Sequence, residues 1–575
     1  MSSRAEKRWV QKEQPEAEKV ATLAAELKIN PIIANILCQR GICTYNEAFA
    51  FFRPKIEHLH DPFLMQDMAA AVNRLTSALA KQEKLLIYGD YDVDGTTSVA
   101  LVYGILANYF TNIEFYIPDR FTEGYGVSKQ GVEWAHQNGC SLIIALDCGI
   151  KSADKVAYAT ELGIDFIICD HHLPEEYLPK AVAVLDPKRT DCPYPYKELS
   201  GCGIGFKFMQ AFCEQNSLCI EKLYSYLDLV VVSIAADIVP ITGENRILAY
   251  YGLEVLNRNE RPGLVALKEL AGIKGDMEIS QIVFGFAPRI NAAGRLGDAK
   301  RSVEMLLAQS VDDAFAKAEI IDETNRERRT VDTHITREAL EMIEQDEFLR
   351  ESSSTVLYKE DWQKGVVGIV ASRCIEKYYR PTIILTHSNE LATGSARSVV
   401  GFDLYSALSE CSDLLEQFGG HMYAAGLTLK PENVEKFRLK FEEVVARKIT
   451  TDQRTPQIEV DAVLPLSMIT PGFYKIINQM APFGPGNMQP VFVTEGVQDT
   501  GDSRVVGENH LKLSLYQNGR MAEGIAFGMA DYYAGVASGR PFDVCYCIEE
   551  NHFRGTVTLQ LKVKDIKFRV VEHDL

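Results

Sequence analysis

The sequence lacks any long hydrophobic run. No stretch of about 18 consecutive apolar residues, the length a helix needs to span a bilayer, occurs in its 575 residues. The first twenty residues, MSSRAEKRWVQKEQPEAEKV, also lack the apolar core of a secretory signal. These absences argue against membrane-embedded and exported proteins. We expect a cytoplasmic protein with no membrane partner.

Paired cysteine spacings are also absent. The chain has 13 cysteines, an odd number, and no CxxC pair. They are scattered through apolar segments such as FIICD (166–170) and DVCYC (543–547). This distribution favours reduced, buried thiols over a disulfide framework.

An excess of positive charge is missing as well. Lys and Arg number 60 against 79 Asp and Glu, which gives a net charge of −19. That balance argues against a protein that coats nucleic acid non-specifically, although it leaves room for a local basic channel. The chain is too long for one core, so we expect two to four domains.

Between residues 66 and 311, apolar strand-like runs alternate with helical patterns, which predicts a mainly parallel sheet. Residues 1–65 before it are predicted to form a separate helical segment. The predicted strands are KLLIYG (84–89), IEFYIP (113–118), SLIIAL (141–146), DFIIC (165–169) and AVAVLD (181–186).

The rest of the chain completes a multidomain α/β prediction. Residues 312–345 have helical spacing without Gly or Pro and predict a long connecting helix, in which ETNRERR (323–329) is expected to face solvent. Residues 346–450 predict a second, smaller α/β domain. From 456 to 575, short alternating runs predict an all-β barrel of the OB type, which binds nucleic acid.

Four aspartates directly follow apolar runs. They are Asp90, Asp147, Asp170 and Asp237, the last after LVVVSIAA (229–236). In open parallel sheets, ligands bind beyond the carboxyl ends of the strands, so the four acids would converge if the runs are neighbouring strands. Any one of them could simply cap a helix. Together with His171 and His172 directly after Asp170, a shared site is favoured.

The stretch YGDYDVDG (88–95) adds Asp92 and Asp94. Carboxylates this close raise one another's pKa, and divalent cations remove that conflict. Many aspartates with imidazole and no thiolate favour Mn²⁺ or Mg²⁺ over structural Zn²⁺. Cys148 and Cys169 adjoin the acids but are expected to face the core. The number of acids predicts two ions and metal-assisted phosphoester hydrolysis.

The ordered motifs DYDVDG, LDCG, CDHH and AADIVP resemble those of the DHH phosphoesterase superfamily. Further segments resemble its RecJ family, which has a DHH domain, a DHHA1 domain and an OB domain. The resemblance extends from about residue 60 to the end of the chain. These segments are APRINAAGR (287–295), GSARS (394–398), FGGHMYAAGLTL (418–429) and PFGPGNMQPVF (482–492).

The resemblance implies roles for the acids and histidines. Asp94 or Asp147 would bridge two metal ions, and His172 would contact the scissile phosphate or orient the site. One departure is Tyr88, which stands where many superfamily members have a histidine ligand. The implied catalytic residues are Asp92, Asp94, Asp147, His171, His172 and Asp237, and the implied metal ligands are Asp90, Asp92, Asp94, Asp147, His171 and Asp237.

The resemblance also implies 5′→3′ release of mononucleotides from single-stranded DNA, in repair and recombination. Ser395, Arg397 and Ser398 would hold the 5′ end, unless GSARS is an ordinary surface turn. Arg289, Asn291 and Arg295 either line the strand path or lock two domains together. The remaining candidates for nucleic-acid contact are Gly419, Gly420 and His421, of which the histidine has a purely structural alternative.

Two other functions stay open. A small-substrate relative would cleave nanoRNA, cyclic dinucleotides or pyrophosphate, but the additional β domain argues against it. A non-catalytic DNA-binding relative is disfavoured because all the acids and both histidines are present. The family suggests a single-strand-binding protein and a helicase as partners, and we expect a monomer. In the β domain, Phe483, Phe492 and Tyr516 either stack on bases or pack in the barrel.

Overall fold

The computed structural model describes residues 6–258, 261–553 and 555–569. They form two units, each with its own internal contacts. The first unit contains Asp61–Asp237 and Gly252–Pro456. The second contains Lys7–His60, Ile238–Tyr251 and the described residues from Gln457 onward.

The first unit is built on the predicted parallel sheet, which is confirmed. Its central strands consist almost wholly of buried apolar residues, as strands covered by helices on both faces require. Cys148 and Cys169 are buried, as expected. In spatial order the strands are Ile113–Tyr116, Leu85–Gly89, Leu142–Leu146, Asp165–Cys169 and Ala183–Leu185.

Helices surround this sheet and continue from it along the chain. Among the described residues, no helix combines the length and the hydropathy that a membrane span needs. The helices are Met68–Lys81, Val93–Leu106, Lys129–Gln137, Ala153–Glu161, Gly201–Gln215, Ile220–Tyr224, Leu227–Ala236, Pro262–Leu270, Ile279–Gln281, Ala287–Leu296 and Lys300–Leu306, with a π-helical turn at Ile282–Phe286. The helix Gly243–Arg258 has its residues 243–251 in the second unit.

One run that was grouped with the strands is a helix. LVVVSIAA lies within the helix Leu227–Ala236, and Asp237 is its C-cap. Every residue from Leu227 to Ala235 is buried, so the segment is apolar on all sides. A short run of this kind has no periodicity that distinguishes a buried helix from a buried strand. Asp237 therefore reaches the site from a helix end.

A 35-residue helix, Val311–Gln345, connects the parallel sheet to a second sheet. The helices near this second sheet are Glu347–Glu351, Val367–Lys377, Leu404–Ser409 and Val434–Lys448. GSARS, expected in a turn, lies mostly in a strand. The second sheet has the order Gln417–His421, Ala424–Leu429, Leu391–Arg397, Thr382–Ser388 and Thr355–Tyr358.

The segment ETNRERR does not face solvent throughout. Asn325 and Arg328 are buried on the inner side of the long helix. The Arg328 guanidinium donates to Asn325 Oδ1 at 2.6 Å and to Asp332 Oδ2 at 2.8 Å. The other charged residues of the segment, Glu323, Arg326, Glu327 and Arg329, are exposed as expected.

The second unit joins the N-terminal residues to the C-terminal barrel. The helices Ala17–Leu27, Pro31–Gln39 and Tyr45–Phe52 share one hydrophobic core with barrel residues such as Phe492 and Leu513. The strand Arg8–Gln11 pairs in parallel with Gln457–Val460. Residues 7–60 are therefore part of this unit and include a strand, where a separate helical segment was expected.

Most neighbouring strands of the barrel pair antiparallel, but Ala462–Val463 pairs in parallel with Phe492–Asp499, and Arg520–Ala526 with Thr556–Phe568. The described part of the barrel also contains the helices Pro471–Asn478 and Tyr533–Val536. Its strands are Ala462–Val463, Phe492–Asp499, Arg504–Val506, His510–Gln517, Arg520–Ala526, Phe542–Phe553 and Thr556–Phe568.

Candidate metal centre

The acidic stretch DYDVD turns directly from a strand into a helix. Asp90 follows the strand Leu85–Gly89 and is fully buried. Asp92 is the N-cap of the helix Val93–Leu106 and accepts from Gly95 N at 3.0 Å. A Cβ atom at Gly95 would lie 2.4 Å from the Asp90 carbonyl oxygen, so only glycine allows this tight turn.

Asp94 is fixed by the start of another helix. Its carboxylate accepts from the backbone N–H groups of Gly201 (2.7 Å) and Cys202 (2.8 Å), at the N-terminus of the helix Gly201–Gln215. The Ser233 hydroxyl donates to the same carboxylate at 2.7 Å. These donors hold the Asp94 carboxylate in one orientation.

His171 lies among three carboxylates. Its Nε2 is 3.2 Å from Asp147 Oδ1, 3.5 Å from Asp237 Oδ2 and 3.8 Å from Asp94 Oδ2. Asp147 has a φ of +59°, a left-handed conformation that non-glycine residues seldom adopt. Such strain is often kept where a side chain must point into a functional site.

The acids repel one another in this buried position. Burial, followed by the charges of Asp94, Asp92 and Asp237, raises the pKa of Asp147 well above its ordinary value. Burial and the charges of Asp94 and Asp92 raise the pKa of Asp237 to about 8. Burial is also the main cause that raises the pKa of Asp90 and Asp92, with the neighbouring aspartate second.

Divalent cations fit this set of donors. Both carboxylate oxygens of Asp90, Oδ1 of Asp147 and both ring nitrogens of His171 are buried without a hydrogen-bond partner. Such groups are expensive to bury unless they bind an ion. Three clusters bring possible ligand atoms within 4.8 Å of one another: Asp90, Asp92 and Asp147; Asp94, His171 and Asp237; and Asp147, His171 and His172.

His172, a member of the third cluster and next to the other two, is held by a buried acid. Its Nδ1 donates to Asp170 Oδ1 at 2.7 Å, and its Nε2 lies 3.0 Å from the Tyr125 hydroxyl. Burial alone would lower the pKa of His172, but the hydrogen bond and charge of Asp170 raise it to about 9. Burial would raise the pKa of Asp170, but the bond from His172 lowers it to about 2. His172 therefore presents a positive charge beside the metal clusters.

Tyr88 is not among these ligand groups. Its side chain is fully buried and packs in the hydrophobic cluster that contains Val127 and Val132. Asp90 instead lies in a cluster of possible ligands with Asp92 and Asp147.

Three arginines in the same unit lie close to one another. Burial, followed by the positive charges of Arg120, Arg328 and Arg397, lowers the pKa of Arg295 to about 10. Burial and the charge of Arg120 likewise lower the pKa of Arg397. In the described part of the chain, Arg120, Arg295 and Arg397 form no ion pair with a carboxylate. Positive groups kept together without acids are suited to binding phosphates.

The other two candidates in PRINAAGR have internal partners. Arg289 donates to Asp322 Oδ1 on the long helix at 2.8 Å and to the carbonyls of Gly285 and Leu270. Asn291 Oδ1 accepts from Val93 N at 3.2 Å. These contacts favour the locking alternative for Arg289 and place Asn291 against the acidic loop.

The serines of GSARS lie near the start of the helix Val367–Lys377. Arg397 donates to Ser395 Oγ at 2.6 Å, while the Ser398 hydroxyl donates to Phe402 O. A Cβ at Gly368 would lie 2.9 Å from Arg397 Nη2, so this glycine gives the guanidinium its space.

The glycines of FGGH lie at an exposed hairpin. Gly419 and Gly420 lie within the strand Gln417–His421, and Gly420 has a φ of +147° with no room for a Cβ. His421 is exposed, and its Nδ1 accepts from Tyr423 N at 3.2 Å.

The aromatic candidates of the barrel divide into two groups. Phe492 is fully buried in the core, and Phe483 packs against it. Both therefore have a packing role. Tyr516 is 41% exposed and is the one of the three that a base could reach.

Sequence reasoning missed Arg120 and Tyr125. Both lie in the loop after the strand Ile113–Tyr116, in the stretch IPDRFTEGYG. The carboxyl end of this strand belongs to the same sheet edge as the acids. Ligands bind at that edge of a parallel sheet, and the prediction from the sequence used this rule only for carboxylates. The same rule, used for every polar residue at the edge, predicts Arg120 and Tyr125 as well.

The parallel sheet and the acidic edge define a metal-dependent phosphoesterase of the DHH type. Family models match three segments: the DHH family, N-terminal domain (residues 84–234), the DHHA1 domain (351–447) and the RecJ OB domain (460–565). The chain belongs to the RecJ family.

Similar proteins support this membership over the whole chain. The single-stranded-DNA-specific exonuclease RecJ of Bacillus subtilis is 38% identical, over 97% of this chain and 70% of that protein. The RecJ of Escherichia coli is 31% identical, over 97% of this chain and 99% of that protein. A crystal structure of RecJ from Thermus thermophilus in complex with Mn²⁺ has a TM-score of 0.84 at 26% identity, and covers 99% of this chain and 80% of that one.

Proposed function

We propose that this protein is a single-stranded-DNA-specific 5′→3′ exonuclease that releases 5′-mononucleotides with two divalent ions, Mn²⁺ or Mg²⁺. The main support is the buried group of acids with unpaired oxygens in the same unit as three arginines that have no acidic partner. The first group suits cations and the second suits phosphates. Relatives at 31–38% identity over 97% of this chain are named single-stranded-DNA-specific exonucleases.

Each group of residues has a distinct part in this proposal. Asp90, Asp92, Asp94, Asp147, His171 and Asp237 hold the two ions, with Asp147 shared between clusters. When bound, the ions supply Lewis acidity that activates a water molecule and neutralises charge on the departing oxygen. The three donors to Asp94 fix the orientation of its carboxylate before an ion binds.

His172 would act on the phosphate. Since Asp170 keeps its ring protonated, His172 offers a charged donor to the non-bridging oxygens of the scissile phosphate. Such a fixed donor stabilises negative charge that develops in the transition state. Its two contacts, to Asp170 and Tyr125, fix the plane of the ring before the substrate arrives.

The arginines would hold the strand. Arg397 with Ser395, and Arg295 and Arg120 nearby, present charge-assisted donors to backbone phosphates near the 5′ end. Phosphate contacts set position and register without selecting sequence. The OB-type barrel, with Tyr516 exposed on its surface, would bind the strand further along.

We also propose that the protein is a cytoplasmic monomer that acts with a single-strand-binding protein and a helicase. Mass measurement by light scattering during gel filtration tests the monomer. Co-purification with these two partners tests the association, and their absence at physiological salt would refute it.

A substrate series tests the proposed activity. With Mn²⁺, the enzyme should degrade a 40-nucleotide single strand, leave the matching blunt duplex largely intact and cleave a dinucleotide poorly. EDTA should stop all cleavage. Preference for the dinucleotide would favour the small-substrate alternative, which the match to a RecJ OB domain does not support. Binding of the long strand without cleavage in either metal would favour a non-catalytic protein.

A further inference from the structure

The loop 119–128 brings two side chains to the site. Arg120 lies over the Tyr91 ring, with its guanidinium carbon 5.1 Å from the ring centroid. The Tyr125 hydroxyl lies 3.0 Å from His172 Nε2. The loop contains no helix or strand, and Phe121 and Tyr125 are both exposed. The sheet alone therefore does not determine where Arg120 and Tyr125 lie.

The buried hydroxyl of Tyr88 anchors the far end of this loop. It donates to the Gly126 carbonyl at 3.1 Å and accepts from Ser128 N at 3.1 Å. The Tyr88 ring stacks on Tyr116, with centroids 5.4 Å apart. Because Tyr88 belongs to the strand Leu85–Gly89, these bonds attach the loop to the centre of the parallel sheet.

Glu123 closes the loop on itself. Its carboxylate accepts from the Ser128 hydroxyl, from the Tyr116 hydroxyl at 3.0 Å and from Asp119 N at 2.8 Å. Ser128 is also the N-cap of the helix Lys129–Gln137 and accepts from Gly131 N. Both ends of the loop are thus tied to one polar network around the Tyr88 hydroxyl.

We propose that Tyr88 is a positioning residue for strand binding: its buried hydroxyl holds the loop 119–128 so that Arg120 and Tyr125 reach the substrate phosphate and His172. This inference rests on the proposed exonuclease function. It gives position 88 a role other than metal binding, because the side chain packs into the core and not among the acids.

Tyr88→Phe removes the hydroxyl and keeps the ring. Losing it leaves the Gly126 carbonyl and the Ser128 N–H without their partner, and unsatisfied buried groups destabilise the loop. We expect the KM for a single strand to rise about tenfold, the effect of about 1.4 kcal/mol. The kcat should change less than about threefold, because His172 keeps its 2.7 Å bond to Asp170. Mn²⁺ affinity, measured by calorimetry, should stay within twofold.

A double-mutant cycle separates positioning from general damage. In an Arg120→Ala background, Tyr88→Phe should raise the KM much less than in the wild type. The reason is that the loop then has no guanidinium at position 120 whose placement Tyr88 could affect. Tyr546→Phe is the matched control. This fully buried tyrosine loses a 2.7 Å hydroxyl contact to Thr494 in the barrel, and its KM should equal that of the wild type.

Hydrogen exchange tests the anchor without any substrate. Amides in 119–128 should exchange faster in Tyr88→Phe than in the wild type, and at the wild-type rate in Tyr546→Phe. An unchanged KM with unchanged exchange would overturn the inference. So would a loss of Mn²⁺ affinity, which would make Tyr88 part of the metal site. A different outcome is a wild type that degrades no single strand while the amides in 119–128 still exchange faster in Tyr88→Phe. That result would refute the exonuclease proposal but would support the role of Tyr88 in holding the loop.

Discussion

Oδ1 of Asp147 lies 3.2 Å from Nε2 of His171, although the two residues follow different strands. Their strands, Leu142–Leu146 and Asp165–Cys169, are hydrogen-bonded neighbours in parallel register. The sheet therefore brings an acid and an imidazole to one edge, where His171 has two further carboxylates nearby. Asp147 is the acid that belongs to two of the possible metal clusters.

Asp147→Ala should abolish cleavage and leave strand binding largely intact. The change removes a carboxylate that belongs to two of the possible metal clusters, and the loss of kcat should be at least about 10³-fold. Steady-state kinetics and a fluorescence-anisotropy titration with a single strand measure the two effects. Near-normal turnover would contradict the metal assignment.

A thermal-shift measurement supplies the control for that variant. Mn²⁺ should raise the Tm of the wild type, because it binds only the folded clusters, and should raise the Tm of Asp147→Ala less. Asp154→Ala, at an exposed acid paired with Lys155, should respond to Mn²⁺ and cleave like the wild type. If Mn²⁺ raised the Tm of all three proteins equally, the ions would have to bind at a site that does not include Asp147.

The parallel sheet and its acidic edge could be predicted from the sequence, because buried strands consist of continuous apolar runs and ligands bind at their carboxyl ends. The same reasoning misassigned LVVVSIAA. Seven of its eight residues are buried in the helix Leu227–Ala236, and such a run has no periodic signal. Asp237 follows the run in either case, because the helix ends where a strand was expected to end.

Tertiary contacts account for what the sequence did not show. Whether Arg289 binds a phosphate or an acid depends on Asp322, which lies 33 residues further along the chain. The N-terminal helices have apolar faces, but nothing in them indicates that their partner is a barrel more than 400 residues away. Arg120 and Tyr125 lie in an irregular loop, whose course is set by contacts to Tyr88 and Glu123.

Leu37→Ala should destabilise the unit that contains the barrel. Leu37 is fully buried in the core that the N-terminal helices share with barrel residues, and deleting a buried leucine side chain typically costs about 2–5 kcal/mol. Denaturant unfolding followed by circular dichroism should show the loss, while Glu26→Ala, at an exposed position of the helix Ala17–Leu27, should be nearly neutral. Wild-type stability in Leu37→Ala would mean that residues 7–60 do not share the barrel core.

Arg397→Ala should weaken binding of a single strand several-fold, irrespective of its base sequence. Removing one phosphate contact should also lower the salt dependence of the binding constant by about one unit of slope. Arg447→Ala, at an exposed arginine paired with Glu410, is the matched control and should bind normally. A sequence-dependent loss, or an unchanged salt slope, would argue against a phosphate contact at Arg397.

The pair of Asp170 and His172 should stabilise the metal-free protein in a defined pH range. The folded-state pKa of His172, about 9, is above its ordinary 6.5, so its contribution is complete below pH 6.5 and is lost as the pH rises through 9. The pKa of Asp170, about 2, is below its ordinary 3.8, so its contribution is present above pH 3.8 and is lost as the pH falls through 2.

Melting in EDTA checks this range. The Tm difference between the wild type and His172→Gln should be largest near pH 6 and should narrow as the pH rises to 10. His136→Gln, in a helix of the same unit, serves as the control and should show a smaller dependence on pH. A Tm difference that grows with pH would mean that folding lowers the pKa of His172 instead of raising it.

Digestion of a single-stranded oligonucleotide labelled at one end tests the central claim most directly. With Mn²⁺ or Mg²⁺, a 5′ label should be released at once as a mononucleotide, while a 3′-labelled strand should shorten progressively, and EDTA should stop both. Immediate release of the 3′ label, or fragments cut from the interior of the strand, would contradict a 5′→3′ exonuclease at this metal centre.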